Sequence, residues 1–167
     1  MNEIMKFVDE IYALKHIVRY NHIGKILTES VAEHTFFVSA IAMRLHRTYR
    51  FDMKTALQMA IIHDFIETHI SDIPRDVKDK YKKLDIAIAL VEREAWHDIY
   101  PEYVKLIEEL EEGETPEAMV VKLADILSVA QYSNAEIKLG NTSFQRIKES
   151  SEARSKKLLA ELERYKR

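Results

Sequence analysis

The 167-residue chain has no cysteine, which excludes disulfides, thiolate nucleophiles and zinc-thiolate centres. Any metal must then be held by His, Asp or Glu, and the absence fits a reducing compartment. Three glycines and three prolines are few. Beside abundant Ala, Leu, Ile, Glu and Lys, they point to helices joined by short loops, an all-α fold. No apolar run approaches the ~20 residues that span a bilayer. The N-terminal "MNEIMKFVDEIYALKHI" is amphipathic and acidic near its start, unlike a signal peptide, so a soluble, cytoplasmic protein with no membrane partner is expected. Neither sign of charge dominates, since 25 Lys and Arg face 28 Asp and Glu for a net charge of −3. Nucleic acid is therefore not an expected partner, and a small ligand or another protein is favoured. A chain of this length can bury a core as one domain over residues 1–167.

Apolar residues at Ile4, Phe7, Val8, Ile11 and Leu14 predict a first helix over about 2–18, followed by a loop, "RYNHIGKILTE". Ser30 with Glu33 has the spacing of a capping box opening a second helix, and Asp52 can cap a third from Met53 to about Ile70. "SDIPRDVKDKYKK" reads as a polar connection and "LDIAIALVEREAWHDI" as a helix. Pro101 sets the first turn of the next helix, which Gly113 ends. A further helix runs from about Pro116 to Leu139 with Gly140 as its stop. Thr142 then caps a last, charged helix that reads as solvated rather than as a basic arm.

The polar residues that resist a surface explanation lie in "AIIHDFIETHISDIP" and "VVKLADILSVA". At helical spacing Glu67 lies over both His63 and Asp64, so the three can converge. Taken alone, an exposed His-Asp pair with a salt-bridged Glu is the favoured explanation. His34 and Asp125 sit on two other apolar helices. Asp125 has an alternative partner in Lys122, three residues earlier, and His34 has one in a backbone carbonyl. Two imidazoles and two carboxylates from three helices also suit a divalent cation that takes mixed nitrogen and oxygen ligands and compensates the buried charge. His16, His22, His46, His69 and His97 have no such partners. His46 and His97 read as surface groups, and His22 and His69 as minor contributors at most.

His34, His63-Asp64 and Asp125, in that order on three helices, resemble the H…HD…D signature of the HD-domain metal-dependent phosphohydrolases. "LTESVAEHT", "HDFIE", "SDIPRDVK", "VRY" and "KLADIL" extend the similarity to the bacterial 5′-deoxynucleotidases of that superfamily. The resemblance implies a compact helical HD-domain fold, with His34, His63, Asp64 and Asp125 as ligands of a divalent metal. Cobalt or manganese is the first expectation; magnesium, zinc, nickel and iron are alternatives. It implies that Glu67 assists the water chemistry, that Arg19 holds the substrate phosphate, and that Asp72 acts at the substrate end of the site. It further implies a homodimer that removes the 5′-phosphate from deoxyribonucleoside monophosphates.

The sequence departs from that pattern at three positions. Tyr20 stands where tryptophan is common beside the substrate, Ser71 where glycine is common, and Arg75 where threonine is common. Tyr20 bears on the choice between deoxyribose and ribose, and Arg75 would add a positive charge for a phosphate. The alternatives are an HD phosphohydrolase acting on a nucleoside triphosphate, cyclic nucleotide or alarmone, and a non-catalytic helical module that binds a nucleotide or metal.

Overall fold

The structure, a computed structural model, describes residues 2–167 apart from the side chain of Asp76, so Met1 of the expected domain lies outside the described residues. Among them the α-helices are α1 (Asn2–Ala13), α2 (Val31–Leu45), α3 (Met53–Ile62), α4 (Glu67–Ile70), α5 (Arg75–Lys80), α6 (Lys82–Ile99), α7 (Val104–Glu112), α8 (Pro116–Lys138) and α9 (Gln145–Leu162). No sheet forms among the described residues; two isolated bridges pair Val18 with Ser30 and Tyr49 with Lys166. The fold is all-α, as the composition implies. No helix is long and apolar enough to cross a membrane among the described residues.

The long helix α8 is the axis, packed between α9 on one side and α2 and α3 on the other. Alanines make this possible: Ala42 on α2, Ala56 and Ala60 on α3, and Ala118 and Ala124 on α8 are all fully buried, so backbones approach closely. Val31, Val38, Met59, Val120 and Leu123 fill the space between them. On α9, Ser151 and Ser155 are buried at i, i+4, which lets this otherwise solvated helix lie on α8. Tyr20, Tyr132 and Phe144 form a second, smaller cluster.

The helix ends explain most of the boundaries. Ser30 Oγ accepts the Glu33 N–H while Glu33 accepts the Ser30 N–H, so the expected capping box is present. Asp52 caps α3 by accepting the Thr55 N–H at 2.7 Å, and Gly113 ends α7 with φ +69°. Several boundaries differ from the expectation. The first helix stops at Ala13, and a 3₁₀ turn carries it to His16, because Ile17 must extend for Val18 to pair with Ser30. The polar connection contains α5. Thr142 lies inside a 3₁₀ turn, Thr142–Phe144, which Asn141 caps through the Ser143 N–H, and α9 begins only at Gln145.

The third helix departs most. It ends at Ile62, and the backbone tightens to i→i+3 bonds from Phe65 to Ile62, Glu67 to Asp64 and Thr68 to Phe65 before α4 begins. His63 and Asp64 therefore sit in a tight turn rather than in a continuous helix.

Candidate active site

Three elements bring the imidazoles and carboxylates together. Past its cap, α2 presents His34, which is fully buried. The turn after α3 supplies His63 and Asp64, and α8 supplies Asp125. His34 Nε2 lies 3.1 Å from Asp125 Oδ1 and 3.9 Å from Asp64 Oδ2, and His63 Nε2 lies 3.1 Å from Asp64 Oδ2. His34, His63 and Asp125 each place a ligand atom within 4.8 Å of the others. Ligand atoms around one ion at bonds of about 2.1 Å stand roughly 3.0–3.4 Å apart, which the two 3.1 Å separations match, while the wider ones would have to close around an ion.

Hydrogen bonding favours the same use. Both Nε2 atoms are buried and make no well-aligned hydrogen bond among the described residues, although each stands 3.1 Å from a carboxylate oxygen. His63 Nδ1 meets the Ala60 carbonyl at 2.8 Å, which fixes the proton on Nδ1 in the neutral ring and leaves Nε2 as a lone pair. His34 Nδ1 meets Ser128 Oγ at 3.3 Å. His34 thus faces a hydroxyl rather than the backbone carbonyl that was its alternative partner, while His63 is the ring held by a carbonyl. Lys122, the alternative partner of Asp125, instead donates to the Glu111 carbonyl at 2.7 Å and finishes α7.

The electrostatics are those of a cluster organised for positive charge. Burial lowers the His63 pKa, but the Asp64 and Asp125 carboxylates outweigh it and push the imidazole up to about 9. Burial opposes ionisation of Asp64 as well, yet His63, His34 and Arg19 hold its carboxyl well below the usual range. Asp125 is lowered against burial by His34, His63 and Arg19. Glu67 behaves oppositely: burial, with the Asp64 and Asp72 carboxylates, pushes it well above its usual range, and its Oε2 is buried without a hydrogen-bond partner.

Arg19 reaches the cluster from the segment before α2. The Val18–Ser30 bridge, the Arg19 N–H to the Glu29 carbonyl (3.0 Å) and the Val31 N–H to the Ile17 carbonyl (2.9 Å) fix its backbone. Its Nη1 donates to Glu29 Oε2 at 2.9 Å in a pair that is mostly buried. Burial lowers its pKa, but Tyr20 and the Asp64, Asp125 and Glu29 carboxylates raise it further, so the guanidinium stays charged. Asp72 Oδ2 accepts the Tyr20 N–H at 3.3 Å and ties the two loops together. Burial raises the Asp72 carboxyl, partly opposed by Arg19.

Two expected substrate contacts sit differently. The Tyr20 ring is buried and stacks on Tyr132 at 5.3 Å, with Arg19 Cζ 5.2 Å from its centroid, so one face is already covered. Arg75 is exposed and its Nε donates to Asp79 Oδ1 at 3.1 Å on its own helix. His16, His22, His69 and His97 are exposed and His46 is half-buried. An open groove near Lys15, His16, Phe36 and Phe37 contains none of the cluster. Sequence reasoning missed Glu29, which steadies Arg19, and Ser128, which orients His34. The second carried a signal, since it lies three residues from Asp125 on the same face of α8.

A helical fold brings His34, His63-Asp64 and Asp125 together from three elements, in the order of the H…HD…D signature that the sequence resembles. Residues 6–165 match the 5′-deoxynucleotidase YfbR-like family, and the chain belongs to it. Among solved structures it is similar to the PH0347 protein of Pyrococcus horikoshii OT3, with 28% identity over 94% of each chain and a TM-score of 0.80. An HD-domain phosphohydrolase from Listeria innocua shares the fold at 24% identity and a TM-score of 0.78, over 90% of this chain and 78% of that one. So does the cyanophage S-2L HD phosphohydrolase DatZ, bound to dA and one catalytic Zn2+ ion, at 19% identity and a TM-score of 0.66, over 93% and 94% of the chains. No curated protein matches the chain.

Proposed function

We propose that the protein is a 5′-nucleotidase that removes phosphate from (deoxy)ribonucleoside monophosphates, with deoxyribonucleotides the preferred class. The observation that carries this reading is the pair of buried, unpartnered Nε2 atoms beside two carboxylates, with the Arg19 guanidinium held close by. His34, His63, Asp64 and Asp125 would hold a divalent ion. Such an ion supplies polarisation of a phosphoryl oxygen and an acidified water. Cobalt and manganese remain the first candidates, and the zinc of the cyanophage enzyme is a third.

Arg19, kept charged and aimed by Glu29, binds the phosphate. Glu67, with its raised pKa and open Oε2, orients the attacking water and accepts its proton. Asp72 fixes the loop that carries Tyr20 at the substrate end. The exposed Arg75, paired with Asp79, favours a compact monophosphate over a more highly phosphorylated substrate. Exposed apolar faces on α1 and α6 support a homodimer.

The test is phosphate release from dAMP and AMP, using metal-stripped protein to which cobalt, manganese, magnesium or zinc is restored separately. Metal-dependent release from dAMP that drops at least about a hundredfold in Asp64→Ala is the expected result. Metal-loaded protein that releases none from either nucleotide would sink the reading. Pyrophosphate, triphosphate or a linear nucleotide as product from other substrates would then favour the alternative chemistries.

A further inference from the structure

The polar stripe on α8 continues past the metal cluster. Asp125, Ser128, Tyr132 and Glu136 follow at intervals of three and four residues, which aligns them on one face over about 16 Å. Asp125 and Ser128 serve the imidazole of His34. The far end of the stripe holds Glu136, a fully buried acid.

Glu136 accepts the backbone N–H groups of Ile26 at 3.0 Å and Leu27 at 2.5 Å, and the side-chain amide of Asn141 at 2.7 Å. The Tyr132 hydroxyl lies 3.4 Å away and donates to the Leu27 carbonyl at 2.7 Å. Asn141 also donates to the Gly24 carbonyl at 2.8 Å. Burial raises the Glu136 carboxyl, but these donors outweigh it and hold the pKa below the usual range. Burying a charged carboxylate is costly where an apolar side chain could pack instead, so the group does more than fill space.

All these bonds converge on Gly24–Leu27, the segment between Arg19-Tyr20 and Glu29. The other end of that loop is held from the same helix, because Tyr132 stacks on Tyr20, whose ring carries the Arg19 guanidinium. Lys25 adds a bond from Nζ to the Arg19 carbonyl at 2.6 Å. Tyr20 sits at φ +57°, a conformation that persists only when its surroundings over-determine it.

We infer that Glu136 is a positioning residue for Arg19: by clamping Gly24–Leu27 to α8 it pre-orients the guanidinium and so sets phosphate affinity, without touching the metal cluster. The inference rests on Arg19 being the phosphate ligand. It is tested with metal-loaded wild type, Glu136→Gln, Asn141→Ala and Arg19→Ala. The readouts are orthophosphate affinity, KM and kcat for dAMP, bound metal, and amide exchange at Ile26 and Leu27.

Glu136→Gln is expected to weaken orthophosphate binding and raise KM on the order of tenfold, with kcat and metal content within about twofold. Asn141→Ala, on a half-buried residue, shifts both in the same direction by less, and amide exchange speeds up in each. It carries the test if Glu136→Gln fails to fold. Unchanged phosphate affinity in both clamp variants beside a loss in Arg19→Ala overturns this inference alone. Unchanged affinity in all three overturns the role of Arg19 and this inference with it. Loss of bound metal in Glu136→Gln overturns it too, since Glu136 would then support the fold at large.

Discussion

Two single residues carry testable consequences of the site's construction. Ser71 has φ +68° and ψ 163°, a region that is almost glycine's alone, and it directly precedes Asp72. Such a conformation costs about 1–3 kcal/mol for a residue with a side chain, while glycine adds about 0.5–1 kcal/mol of unfolded-state entropy to be lost. Ser71→Gly should therefore stabilise the protein by about 1 kcal/mol, read as a higher urea midpoint at constant m-value. A lower midpoint would mean that the serine side chain compensates its own strain. His63 makes the second prediction. With the carboxylates pushing its pKa up to about 9, the ring would carry a proton on the proposed ligand nitrogen at neutral pH. Binding a divalent ion at pH 7 should release at least about one proton, and affinity should climb up to about tenfold per unit as pH rises from 7 to 9. Calorimetry in buffers of different ionisation enthalpy measures both quantities, and affinity flat across that window contradicts the assignment. The sign for stability is the reverse. A raised histidine pKa stabilises the metal-free fold fully below the ordinary 6.5, and that contribution disappears as pH rises through about 9.

At the scale of elements, what the sequence reveals is what short-range chemistry determines. Ser30-x-x-Glu33 and Asp52 announce their helix starts because capping is a contact between residues three apart. Ser30→Ala should cost about 1 kcal/mol in thermal or urea unfolding. It should also weaken metal binding, because the same turn carries His34 and anchors the segment of Arg19. Stability left unchanged would show that the neighbouring Val18 bridge holds the helix start by itself. The break after Ile62 was not legible, because apolar periodicity continues through Phe65 and Ile66 while the backbone changes pitch beneath it. That change of pitch is where the fold sets the adjacent His63 and Asp64. Glu136 was hidden for another reason: its partners Ile26 and Leu27 lie 110 and 109 residues away, and a lone acid near a helix end looks solvated until the loop is docked.

For the whole molecule, the distribution of apolar surface is the remaining fact to explain. Helix α1 is attached through Phe7, which packs near Phe65 and Tyr100, and through Glu10, which accepts the Tyr100 hydroxyl. Its other face leaves Ile4, Met5, Val8, Ile11 and Tyr12 in solvent. Helix α6 buries Ile88 and Trp96 but exposes Ile86, Leu90 and Val91. Scattered exposed apolar residues are ordinary, but runs of them along a helix make a candidate interaction face. A second copy of the chain would cover these faces while leaving the His/Asp cluster, which is built wholly from α2, α8 and the turn after α3, complete in each protomer. The protein should therefore sediment as a dimer at micromolar concentration, and Leu90→Glu or Val8→Lys should shift it toward monomer. The charge would have to be buried unpaired in the interface but stays solvated on the free chain. Metal content of the monomeric variant should match the wild type if the proposed ligands all come from one protomer. A wild type that sediments as a monomer would leave these faces without the proposed partner, and a variant that loses its metal on dissociation would show the cluster to depend on the assembly.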